Sequence, residues 1–197
     1  MDLKQLFITI KQDPMNLSYT NQGFDPLFLV SESSKILIVG QAPGIKAQTS
    51  GLTWNDLSGD NLRSWLGVTR TEFYNPELFG MMPMDFYYPG KGKSGDSPPR
   101  KGFAEKWHPL ILNCLKDVKL IILVGHYAQN YYLKESKKET LTETVKAYQS
   151  YAPLYIPLVH PSPRNVGWHL KNPWFKEEII PFLRKRVREI INQPTKY

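Results

Sequence analysis

The 197-residue chain is long enough to bury a core of its own and short enough to be read as a single domain, 1–197. With 41% hydrophobic and 22% charged residues it is neither disordered nor membrane-embedded by composition. Lysine and arginine exceed aspartate and glutamate by 25 to 18, a formal charge of +7. That excess suits a phosphate-bearing partner and equally suits simple solubility.

The longest apolar runs, such as Leu120 to Val124, are too short to cross a bilayer, so no membrane partner is expected. Met1-Asp2-Leu3-Lys4-Gln5 lacks the charged-then-apolar plan of a signal peptide, which gives the expectation of a cytoplasmic protein. A lone Cys114 forms no internal disulfide and cannot by itself hold zinc or an iron–sulfur cluster. A monomer without metal or other cofactor is expected.

Leu3, Leu6, Phe7 and Ile10 have the spacing of an amphipathic first helix. From Asp13 to Ser34 the chain is turn-rich, broken by Pro14, Gly23 and Pro26. Lys35 to Val39 is a short apolar, β-branched run that predicts a buried strand, and Gly40-Gln41-Ala42-Pro43-Gly44 follows it as a tight turn. Asp60 to Gly67 reads as a helix end stopped by its glycine. Leu78 to Tyr87 predicts a second strand, with Pro83 marking an irregularity.

Pro89 to Lys101 is a loop rich in glycine and proline, carrying the cations Lys91, Lys93, Arg100 and Lys101. Ala104 to Val118 predicts a helix with Pro109 in or near its first turn. Leu120 to Gly125 is the clearest strand, followed by a helix from about His126 to Leu133. Thr140 to Tyr148 predicts another helix and Leu154 to Val159 another strand. Asn172-Pro173-Trp174 starts a long basic helix through Ile191, kinked at Pro181. Strands alternating with helices predict an α/β fold: three layers, α/β/α, around a central, mostly parallel sheet of about four strands.

A second proline-stiffened turn, His160-Pro161-Ser162-Pro163-Arg164-Asn165, follows the last predicted strand. In a parallel sheet both turns lie on one edge, where ligands of open α/β sheets bind and backbone N–H groups favour negative charge.

Gly40-Gln41-Ala42-Pro43-Gly44 paired with a late His160-Pro161-Ser162 resembles the uracil-DNA glycosylase superfamily. Between them, Ser50-Gly51-Leu52-Thr53-Trp54-Asn55-Asp56-Leu57-Ser58-Gly59-Asp60 is similar to the Thr-Gly-x-x-Phe-x-Gly-Asp-x-Ser-Gly-Asp stretch of the type B branch. The hexapeptide His160 to Asn165 is similar to the loop of the single-strand-selective monofunctional branch. The resemblance covers about residues 35 to 190.

That resemblance implies an enzyme that takes a base out of the DNA stack and hydrolyses its N-glycosidic bond. Trp54 stands where the family has a stacking Phe; the alternative is a core tryptophan. His160, by resemblance, donates toward the base carbonyl oxygen as charge builds there; the alternative is a structural histidine. Asp56 falls on the family's second-segment Asp and is the carboxylate candidate for orienting water and stabilising the sugar cation; otherwise it caps a helix. Gln41 can hold a water but cannot act as a base at neutral pH. Ala42, Pro43, Met82 and Asp85 are the further base-binding candidates, Asp85 having a structural role as its alternative. Ser162, Pro163, Arg164 and Asn165 would hold the DNA backbone or fill the gap left by the extruded base. Otherwise Arg164 is a surface cation and the prolines stiffen a turn.

Three departures from the family stand out. Cys114 alone cannot bind the four-cysteine iron–sulfur cluster of the type B branch. The Asn that reads uracil is matched by Met82, which cannot pair with a base edge. Gln41 and Ala42 replace the first-turn acid. The expectation is a cluster-free glycosylase-like enzyme acting on uracil or another deaminated base in single- or double-stranded DNA. A non-catalytic nucleic-acid-binding protein of the same fold, and an enzyme for a free nucleoside or nucleotide, are the alternatives.

Overall fold

Alternation within two central strands builds the molecule. In the computed structural model, which describes residues 1–93 and 95–193, the strands are β1 (Ile36–Val39), β2 (Phe79–Met81), β3 (Leu120–Val124) and β4 (Tyr155–Leu158). They form one sheet in the order β2-β1-β3-β4, with every neighbouring pair parallel. Ile36 of β1 sits opposite Phe79 on one side and Leu120 on the other. β1 and β3 are buried throughout, as strands covered on both faces must be.

The helices are α1 (Leu3–Gln12), α2 (Leu17–Thr20), α3 (Ile45–Ser50), α4 (Leu57–Leu66), α5 (Arg70–Phe73), α6 (Phe103–Leu112) and α7 (His126–Leu133). They continue as α8 (Leu141–Lys146), α9 (Val166–Lys171) and α10 (Ile180–Ile191). Ile36, Ile38, Leu120 and Ile122 pack with Leu62 and Leu66 of α4 and with Leu183, Val187 and Ile190 of α10. Leu37, Val39, Ile121 and Leu123 face the other way, onto Leu6 and Ile10 of α1 and Phe103, Trp107 and Ile111 of α6. The period of two in the strands thus produces two cores and three layers.

Several predicted boundaries change. The second strand ends at Met81 rather than Tyr87. The chain from Met82 runs on beside the end of β1, with Met82 N–H donating to Ile38 O (3.0 Å) and Met84 N–H to Gly40 O (2.9 Å). Pro83 between them has no N–H to give.

The predicted Ala104–Val118 helix ends at Leu112, and Pro109 lies inside it rather than in its first turn. Pro109 and Glu105, whose carbonyl loses its partner, are both exposed, so water can replace the missing bond. Before α10 the backbone takes a π-helical turn over Phe175–Ile179, and Pro181 falls in the first turn of α10, where no kink is needed. α3, α5 and α9 are short elements the sequence does not announce. Ser94, in the predicted loop, and residues 194–197 lie outside the described residues. Among the described residues no helix is long and apolar enough to cross a membrane.

Candidate active site

β1 pairs with β2 on one side and β3 on the other, so the turn after β1 opens at the point where the strand order reverses. Ligands of open α/β sheets bind at such a point. A cavity of about 750 Å³ lies there, lined by the whole Gly40–Gly44 turn, Trp54, Asp56, Pro83, Asp96 and His160. Its floor is fixed by the chain after β2: Met84 N–H holds Gly40 O, and Asp85 N–H holds Gln41 O (3.2 Å).

Trp54 is held from several directions. Its φ is +56°, a left-handed backbone that is costly for a bulky side chain. Arg63, buried in α4, donates from Nη1 to Trp54 O (3.0 Å), and Tyr74 Oη donates to the neighbouring Thr53 O (2.9 Å). Arg63 itself is paired with Asp60 and lies over the rings of Phe73 and Tyr74. A β-carbon on Gly59 would fall 1.7 Å from Trp54 O, so only glycine fits. The indole lies against Gly40, where an added β-carbon would sit 3.0 Å from Cζ2. The ring is half-buried, packing on the core behind it while lining the cavity in front.

His160 follows β4 and its ring faces that of Trp54, centroids 5.9 Å apart and tilted by 33°. Its loop is pinned by Asn165 Nδ2 donating to His160 O (2.7 Å) and by Asn61 Nδ2 of α4 donating to Pro161 O (2.9 Å). Burial holds the imidazole below its ordinary pKa, opposed in part by the charge of Asp56. Burial thus favours the neutral ring, which can donate one N–H. Asp56 caps α4, its Oδ1 accepting from Gly59 N–H (2.9 Å), and it also lines the cavity. Gln41 donates from Nε2 to Ser97 O (3.2 Å), which leaves Oε1 as an acceptor.

Of the residues named from sequence, Gln41, Ala42, Pro43, Trp54, Asp56 and His160 converge on this cavity. Met82 and Asp85 do not. Met82 is fully buried in the core beneath α1 and α6, because its position follows β2 onto the inner face of the sheet. Asp85 is also fully buried, accepting from Tyr87 N–H (3.1 Å), Arg100 N–H (3.0 Å), Arg100 Nε (2.8 Å) and Arg100 Nη2 (2.8 Å). It is a structural clasp at the foot of the loop that follows.

Ser162 and Asn165 lie beside the cavity with their side chains engaged in the loop, Ser162 Oγ accepting from Arg164 N–H (3.2 Å); Pro163 and Arg164 are exposed.

Asp96 and Pro83 were not foreseen. Asp96 sits in a stretch whose signal is its glycines and lysines, and nothing in its spacing points inward. Among the described residues no group of His, Cys, Asp and Glu is arranged to hold a metal ion.

An NMR structure from Methanosarcina acetivorans, described as a candidate uracil DNA glycosylase, is similar over 81% of this chain and 94% of that one. Identity between the two is 15% and the TM-score 0.46. The sequence model of the uracil DNA glycosylase superfamily matches residues 28–184, a span that contains both turns, the Trp54–Asp56 segment and the whole sheet. By that match the chain belongs to the uracil DNA glycosylase superfamily.

Proposed function

We propose that this protein hydrolyses the N-glycosidic bond of uracil or another deaminated base in DNA, acting as a monofunctional glycosylase in base excision repair. The observation that carries this reading is the convergence of Trp54, His160, Asp56 and Gln41 on one cavity at the reversal point of the sheet. A base extruded from the stack lies against the indole of Trp54. His160, neutral, donates its N–H to a carbonyl oxygen of the departing base as negative charge collects there. The negative charge of Asp56 favours the sugar cation left behind, and Gln41 Oε1 can accept a hydrogen bond from water. Arg164 and Pro163, exposed beside the cavity, meet the DNA, while Ser162 and Asn165 hold the shape of their loop.

Met82 lies outside the cavity, so the amide pairing that selects uracil has no counterpart at that position. Oligonucleotides, single- and double-stranded, carrying uracil, hypoxanthine, xanthine or a thymine mismatch are incubated with the protein, treated with alkali and resolved on a gel. Cleavage at one of these bases is the expected result and names the substrate. Salt-sensitive binding without cleavage would replace this reading with a non-catalytic nucleic-acid-binding protein. Neither binding nor cleavage would turn attention to free nucleosides.

A further inference from the structure

The two glycines of the turn after β1 are approached by two different groups. Gly40 is covered by the indole of Trp54; a β-carbon built on Gly44 would lie 3.6 Å from Asp96 Oδ2. Asp96 reaches this position on a narrow excursion of the chain. Lys91 and Asp96 form an antiparallel bridge, Gly92 N–H donates to Gly95 O (2.8 Å), and Ser97 N–H donates to Gly90 O (2.8 Å).

The excursion is tied down at three points. Tyr88 N–H donates to Gln48 Oε1 (2.8 Å) at its start, and Gln41 Nε2 donates to Ser97 O (3.2 Å) across the cavity mouth. The buried Asp85–Arg100 clasp closes its foot. Asp96 is itself exposed, its carboxylate lies beside the hydroxyl of Tyr88, and it also lines the cavity.

We propose that Asp96 is the carboxylate that positions and deprotonates the attacking water. This rests on the glycosylase reading above. The turn itself offers only Gln41 and Ala42, neither of which can take a proton. Asp56 has one oxygen committed to the start of α4 and its charge directed at His160. Asp96 stands against Gly44, at the end of the turn away from the Gly40 contact with Trp54, where a base stacked on the indole leaves room for its sugar.

In the reaction the C1′–N bond breaks and its electron pair departs on the base. The water oxygen forms the new bond to C1′, and the water proton passes to Asp96. It leaves from there to solvent, while the base takes up a proton.

The test uses the full chain and the oligonucleotide whose base the wild type releases. D96N should lower the single-turnover rate by about 100-fold or more. Binding of the same oligonucleotide made uncleavable by a 2′-fluorine should stay within about threefold, since the group acts on water rather than on the DNA. D96A should regain about tenfold when formate, a small diffusible carboxylate, is added, and the wild type should not respond. A melting temperature equal to that of the wild type checks that the variants keep the fold.

A D96N rate within about threefold of wild type would overturn the assignment. So would a lost rate matched by equally lost binding, which would make Asp96 a binding group. A wild type that releases no base would instead sink the glycosylase reading, and this assignment with it.

Discussion

Replacing Asp85 by asparagine separates the two roles the residue was given. If it touched substrate, Asp85→Asn would abolish activity and leave stability alone. The structure gives the opposite order. Asp85 is fully buried and accepts four hydrogen bonds, two of them from the guanidinium of Arg100. Removing one charge of a buried pair costs about 3–5 kcal/mol, because the other is left uncompensated.

Here the lower end applies. The Arg100 side chain keeps 21% exposure, donates to Met15 O (2.7 Å), and lies over the rings of Tyr19 and Phe103. About 3 kcal/mol in a chain of this size corresponds to a fall in melting temperature of about 6–12 °C. Calorimetry or a fluorescence melt reads it directly. Activity should fall less than for a substitution at His160, because the cavity keeps its lining and loses only the tether at the foot of the Asp96 excursion. A melting temperature within about 2 °C of wild type, with activity gone, would refute the clasp and return Asp85 to the site.

Gly59→Ala puts a methyl 1.7 Å from Trp54 O, so the Trp54 carbonyl must give up its bond from Arg63. A misplacement of about 1 Å in a substrate-positioning group costs about 100-fold in rate; a wild-type rate would mean that Trp54 does not hold the base. Trp54→Ala should weaken capture of an oligonucleotide carrying an extruded base by about 1–3 kcal/mol, read by fluorescence anisotropy, and unchanged affinity would return Trp54 to the core. His160→Ala should lower base release by about 100-fold or more with melting unchanged, and a rate near wild type would remove the donor role.

His108 supplies a pH dependence of stability. Burial lowers its pKa from 6.5 to about 4, and Pro83 O opposes this by accepting from Nε2, which leaves Nδ1 to accept from Tyr132 Oη. The unfolded chain binds that proton more readily, so its contribution is complete above pH 6.5 and is lost progressively toward pH 4, by about 3 kcal/mol. Denaturant titrations of wild type and His108→Gln across this window should differ in slope, the variant being flatter; equal slopes would count against it.

The three layers were legible because β1 and β3 are unbroken β-branched runs and their neighbours carry helical spacing. That Trp54, Asp56 and His160 would meet at one cavity was legible because each belongs to a pattern fixed by its immediate neighbours. Asp85 and Met82 misled for one physical reason. Their segment is apolar enough to continue a strand, yet Pro83 interrupts the ladder and the chain turns inward, so counting positions along it assigned the wrong face. Asp96 was hidden because its orientation depends on contacts with residues 41, 44 and 48, far away in sequence. No local rule carries that information. The short helices α3 and α5 escaped for a related reason: four to six residues give too few repeats to establish a period.

The formal charge of +7 could not by itself choose between a nucleic-acid partner and plain solubility, but its distribution helps. Lys91, Lys93 and Lys101 are exposed on the loop that carries Asp96, and Arg164 on the turn that follows His160, while the cavity is lined by two carboxylates, Asp56 and Asp96, and by His160, whose neutral form burial favours. Among the described lining residues Lys46, at the exposed edge, is the one cation. A free nucleotide would have to bring its phosphate toward those carboxylates, where repulsion opposes it. On the proposed reading, a nucleotide still joined to its strand would keep its phosphates outside and send in only the base and sugar. The same negative lining that repels phosphate then favours the cation that forms at C1′. On the proposed reading, exposed cations on these loops and carboxylates within would serve the binding of a polyanion and the chemistry of a cation in one place.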